Sequence, residues 1–60
     1  MYITIDGGTL NTRIYTVDNG KAELLARAAV GAQDPNGLRE FLKKNIDRVD
    51  SCSIDAIIAS

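Results

Sequence analysis

The residues best equipped for chemistry stand together near the start of the chain, in Asp6-Gly7-Gly8-Thr9-Leu10-Asn11-Thr12-Arg13. Two adjacent glycines let a backbone approach a bulky anion and take φ values forbidden to other residues, so Gly7 and Gly8 are expected to aim N–H groups at phosphate oxygens. Thr9, Asn11 and Thr12 add side-chain donors, and Arg13 supplies a guanidinium fork for a charge-assisted pair with a terminal phosphate. Asp6 is the carboxylate of the group. Beside phosphates a carboxylate calls for a cation, and Mg2+ held largely through its own waters suits it. Asp-Gly and Gly-Gly also build ordinary hairpin turns, so phosphate cradle and plain turn both stand open on spacing alone. The Walker pattern and the dinucleotide fingerprint are absent, and this glycine loop joins two strand-like runs rather than a strand and a helix.

Little else in the chain is reactive. There is no histidine, and Cys52 is the single cysteine, which excludes an intramolecular disulfide and argues against a thiolate-imidazole zinc site. Cys52 lies in Asp50-Ser51-Cys52-Ser53 without a basic neighbour to activate it and reads as an incidental thiol. The 7 Lys+Arg and 8 Asp+Glu are interspersed at net charge −1, so no basic stripe awaits a nucleic acid. No membrane helix is expected, because the apolar run Ala56 to Ala59 falls far short of the ~20 residues one needs, and a signal peptide is not expected either, since Met1 is followed by a strand-like run. A composition 45% hydrophobic and 25% charged is that of a globular domain, expected in the cytoplasm. So short a chain buries only ~60% of the surface its unfolded form exposes, which leaves its stability small.

Strands must hold the loop at both ends. Tyr2-Ile3-Thr4-Ile5 leads into Asp6-Gly7-Gly8, and Arg13-Ile14-Tyr15-Thr16-Val17 follows the loop as a second β-branched run. Asp18-Asn19-Gly20 then marks a type I′ hairpin. Lys21 to Val30 is made of helix formers, yet a returning hairpin partner overrides that propensity, and a third strand is expected there. Tyr2 and Tyr15 are expected to face each other across the first hairpin, and Gly31 to free the chain as it leaves the third strand.

From Asp34 onward a helix is expected. Leu38, Phe41, Leu42, Ile46 and Val49 fall within roughly 140° of arc at 100° per residue, with Asp34 or Asn36 as cap and Pro35 in the first turn. Glu40 with Lys44 and Lys43 with Asp47 are spaced to pair on its outer side. Asn45 falls in the apolar stripe and calls for a hydrogen bond to a neighbouring loop. Ile54 to Ala59 reads as a strand buried on both faces, parallel to the first. The order β-β-β-α-β gives a meander followed by a right-handed crossover, an α/β sheet with one helix and one face still to be covered by further chain or by a partner.

Ile5 to Arg13 resembles the first phosphate-binding motif, Asp-x-Gly-Thr-x-x-Thr-Arg, of the actin-like superfamily of sugar kinases and actin. Within it the chain is most similar to the 2-dehydro-3-deoxygalactonokinases, through Ile3 to Thr9, Asn11-Thr12-Arg13, Val30-Gly31-Ala32 and Ile57-Ile58-Ala59-Ser60. Leu10 stands where such motifs often carry Thr or Ser, leaving only its backbone N–H as a donor. The resemblance implies a ribonuclease-H-like fold, residues 1–60 being the N-terminal part of its first lobe. It also implies an ATP- and Mg2+-dependent kinase of a small sugar acid. Gly7, Gly8, Thr9, Asn11, Thr12 and Arg13 would serve the nucleotide phosphates and Asp6 the metal. The base, the adenosine site and the later phosphate motif are expected beyond Ser60, so these residues alone are expected to be inactive. A pantothenate or N-acetylglucosamine kinase of the same superfamily, or a non-catalytic assembly module, is the alternative.

Overall fold

A computed structural model describes residues 1–60. The elements are β1 (Tyr2–Gly7), β2 (Thr12–Asp18), β3 (Lys21–Ala28), α1 (Pro35–Ile46), a 3-10 turn (Ser51–Ser53) and β4 (Ala56–Ala59). The strands form one mixed sheet in the order β3-β2-β1-β4. β1 and β3 pair antiparallel with β2, and β4 pairs parallel with β1. The crossover through α1 therefore returns the chain beside its first strand, as a helix followed by an apolar strand requires. No helix is long and apolar enough to cross a membrane.

Local chemistry accounts for most boundaries. Asn19 and Gly20 carry φ of 51° and 78°, the paired left-handed residues of a type I′ turn. That turn commits Lys21 onward to pair with β2 despite its helix-forming residues. A bulge absorbs the misfit: Ile14 pairs with Ala26 but Tyr15 with Leu24, so Leu25 is left over and the two adjacent leucines need not alternate. At α1 the cap is Asp34, whose carboxylate accepts from the Gly37 N–H at 3.0 Å, with Pro35 opening the helix. The helix ends at Ile46, short of Val49, because Arg48 and Val49 turn back onto the Asn45 and Ile46 carbonyls in tighter bonds.

Several expectations need correction. Asn45 is buried and bonds to its own helix and to the turn that directly follows it, rather than to a loop from elsewhere in the chain. Its Nδ2 donates to Phe41 O at 2.8 Å and its Oδ1 accepts from Arg48 Nη1 at 3.1 Å. Neither Glu40–Lys44 nor Lys43–Asp47 closes; the one ion pair joins the Met1 amine to Asp55. Tyr2 sits opposite Val17 and Tyr15 opposite Thr4, so the tyrosines share a face on a diagonal. β4 is not buried on both faces. Ile57 and Ile58 point to opposite faces and are 49% and 55% exposed, so neither face of this edge strand is covered. An uninterrupted apolar run is compatible with double burial but does not supply the cover.

One face of the sheet is covered in part: Ile3 is buried there, while its partner Ile57 on the same face stays half exposed. Ile3 and Ile14 are fully buried on the face that also carries Thr12, and Leu38, Phe41 and Leu42 of α1 are half-buried. Tyr2, Leu24 and Ile58 belong to the opposite face and remain about half exposed.

Candidate functional site

The loop Gly8–Asn11 joins β1 to β2 and is closed by the Gly8 N–H donating to Asn11 O at 2.8 Å. A second segment supports it from behind. Ala32 and Gln33 donate their N–H groups to Gly8 O at 3.0 Å and Thr9 O at 3.2 Å, and Asp34 N–H closes that segment onto Gly31 O at 2.9 Å. Gly31 is buried against the loop so closely that a Cβ there would stand 2.3 Å from Gly8 O and 2.5 Å from Thr9 O. Its role is close backbone approach rather than release of the chain from β3. Thr12 fixes the same corner, its Oγ1 donating to Val30 O at 2.8 Å while the residue is 1% exposed.

These bonds change which groups are available to a ligand. Neither Gly7 nor Gly8 has a positive φ, and both N–H groups are used internally, Gly7 on Ser60 O at 3.2 Å and Gly8 on Asn11 O. The glycines therefore do not present the donors expected of them. The Thr12 hydroxyl is likewise turned inward onto Val30 and holds the loop rather than facing out of it. The N–H groups of Thr9, Leu10 and Asn11 donate to no protein atom, and the side chains of Asp6, Thr9, Asn11 and Arg13 are exposed and free of hydrogen bonds. The free donors begin one residue later than the glycines and include the backbone of Leu10.

The register adds a residue that sequence reasoning missed. Asp6 pairs with Arg13 and Arg13 with Arg27, so one carboxylate and two guanidinium groups stand abreast on β1, β2 and β3, on the face away from α1. None of the three is in an ion pair. A cavity of about 310 Å³ is lined by Asn11, Thr12, Arg13, Arg27, Ala28 and Ala29. Arg27 is hidden in the sequence by its helix-forming neighbours; only strand pairing across the Asn19-Gly20 turn brings it beside Arg13.

Asp6 belongs to no cluster of protein metal ligands, since no group of three or more His, Cys, Asp or Glu side chains gathers in the chain. A divalent cation at Asp6 would thus draw its other ligands from water and phosphate oxygens, a ligand set that suits Mg2+. No family model, no curated protein and no solved structure matches this chain.

Proposed function

We propose that this chain carries the first phosphate-binding loop of an ATP-dependent small-molecule kinase with a ribonuclease-H-like lobe. The acceptor is a hydroxyl of a sugar acid, 2-dehydro-3-deoxygalactonate by resemblance. The observation that carries the reading is the loop's construction. A turn that only reverses the chain needs a single closing bond, whereas Gly8–Asn11 is also held from behind at Gly8 O and Thr9 O while three successive N–H groups stay free. Donors fixed in place without protein partners are what a phosphate requires, because their reorganisation is already complete before it binds.

In this reading the N–H groups of Thr9, Leu10 and Asn11, with the Thr9 and Asn11 side chains, bind the nucleotide phosphates. Arg13 neutralises charge on the transferred group, and Asp6 orients the metal's water shell. The bound Mg2+ would supply further charge neutralisation between phosphate oxygens. Gly31 and Thr12 act on the ligand only through the loop they hold. The half-exposed Tyr2, Leu24 and Ile58 favour a second reading, an assembly module whose open sheet face needs a partner.

Asp6→Asn in the complete kinase separates function from turn chemistry. Asn keeps the shape and local hydrogen bonding of Asp, so stability stays within about 1 kcal/mol of the parent. It lacks the charge that holds a cation, so kcat falls by about 10² or more. A thermal melt and steady-state kinetics with varied Mg2+ check both. Unchanged kcat and Mg2+ dependence would return Asp6 to the hairpin, and a parent protein that transfers no phosphate to any sugar acid would sink the kinase reading.

A further inference from the structure

We infer that Arg13 and Arg27 together form an oxyanion site for a phosphoryl group at the end of β2 and β3. It deepens the phosphate-loop reading by adding a residue from β3, and its test requires no phosphoryl transfer, so the two can fail separately.

The two arginines are direct register partners on adjacent strands and line the same cavity beside Asn11. Like charges directly opposite one another destabilise a sheet unless something neutralises them. The acidic groups within reach do not. Asp6 lies beyond Arg13 on the far side from Arg27 and closes no ion pair, and Glu23, the acidic residue of β3, pairs with Thr16 on the other face. β3 is the sheet edge, so no further strand brings a carboxylate to Arg27. The pair is therefore left with its charge uncompensated and its donors free.

The donor count selects the ligand. One guanidinium fork satisfies the two oxygens of a carboxylate. Two forks with the Asn11 amide exceed that, and match the three non-bridging oxygens and the double charge of a phosphoryl group. Asp6, at the other end of the row, disfavours a bare anion at its own end and places the phosphoryl group toward Arg27.

The test is a titration of inorganic pyrophosphate into the 15N-labelled chain at constant ionic strength. It follows the Nε–Hε signals of Arg13 and Arg27 and the amides of Asn11, Ala28 and Ala29. Saturable shifts at these positions are expected, with Arg27→Gln weakening binding about tenfold, as loss of a charge-assisted fork should. Arg39→Gln removes the same charge from α1 and should leave the affinity within about twofold, the change expected of screened charge away from the site. ATP and acetate form two further arms. Equal movement of Arg27 by ATP assigns the site to a nucleotide phosphate, and movement by pyrophosphate alone assigns it to a free or small-molecule phosphate. Equal shifts with acetate, equal weakening by Arg39→Gln, or parental affinity in Arg27→Gln would overturn the proposal. If Arg27→Gln does not fold, the parent decides: an Arg27 signal that stays still at saturation overturns it as well.

Discussion

The two ends of β1 are held by different physics. At the Gly7 end, Gly31 presses its backbone against Gly8 and Thr9, two N–H groups reach across to the loop carbonyls, and the Thr12 hydroxyl is sealed onto Val30. At the Met1 end, Asp55 N–H donates to Met1 O at 2.8 Å, and the Met1 amine meets a 65% exposed Asp55 carboxylate at 2.6 Å. The first end depends on shape, through the close approach of Gly31, and on the part-buried hydroxyl bond of Thr12. The second depends on charge that water and salt replace readily. The candidate site grows from the first end, where fixed geometry matters to a ligand.

The strongest way to break this contrast is Gly31→Ala. A Cβ 2.3 Å from Gly8 O forces the loop and its support apart, at a cost of about 2–3 kcal/mol, typical of overpacking at a site that cannot yield. Only Ile3 and Ile14 form the fully buried apolar core, so that loss is a large part of the whole stability. Gly7→Ala is the matched control. Its φ is not positive and its nearest neighbour would be Ser60 O at 3.7 Å, so it should stay within about 0.5 kcal/mol of the parent. Urea unfolding of the two variants measures both, and equal midpoints would mean that Gly31 is not pressed against the loop.

A smaller effect at the same end is expected of Thr12→Val. The shape is kept, but Val30 O loses its donor at a part-buried site, which costs about 1 kcal/mol. Thr12→Ser, which keeps the hydroxyl, should recover part of that loss. Hydrogen exchange at Ala32 and Gln33 gives a local reading, because those amides open once the corner loosens. Unchanged stability and exchange in Thr12→Val would show that the bond holds nothing.

What the sequence revealed follows the same division. Asn19-Gly20, Asp34-Pro35 and the stripe from Leu38 to Ile46 act through neighbours in the chain, so hairpin, cap and helix were all legible. The parallel return of β4 was legible too, since an apolar run after a crossover helix has few other places to go. Its exposure was not, because composition says what a strand tolerates and not what lies beside it. At the site, Asp6, Thr9, Asn11 and Arg13 stand exposed and without hydrogen-bond partners, while Gly7, Gly8 and Thr12 are engaged inside the protein. The close approach of Gly31 and the position of Arg27 are long-range facts set by register. A glycine in a sequence advertises freedom, and only a fold shows that its use is contact.

The other end of β1 supplies the smallest effect, and its sign distinguishes it. The hydrogen bond to Asp55 raises the Met1 amine above its usual 8.0, with attraction from Asp55 and Asp18 adding to it and partial desolvation opposing. The folded chain therefore binds the amine proton more tightly than the unfolded chain does. This contribution is fully present below the unfolded value near 8.0 and is lost as pH rises through the raised folded value. Because the pair is exposed, salt should shrink it further. Urea midpoints should thus decline slightly from neutral pH into the alkaline range at low ionic strength, and less so at high. Asp55→Asn should remove that component of the slope. Gly31→Ala should carry its deficit unchanged across the whole range, since no titrating group contributes to it. A deficit in Gly31→Ala that varies with pH and salt, or a slope that survives Asp55→Asn intact, would erase the distinction between a shape-held and a charge-held end.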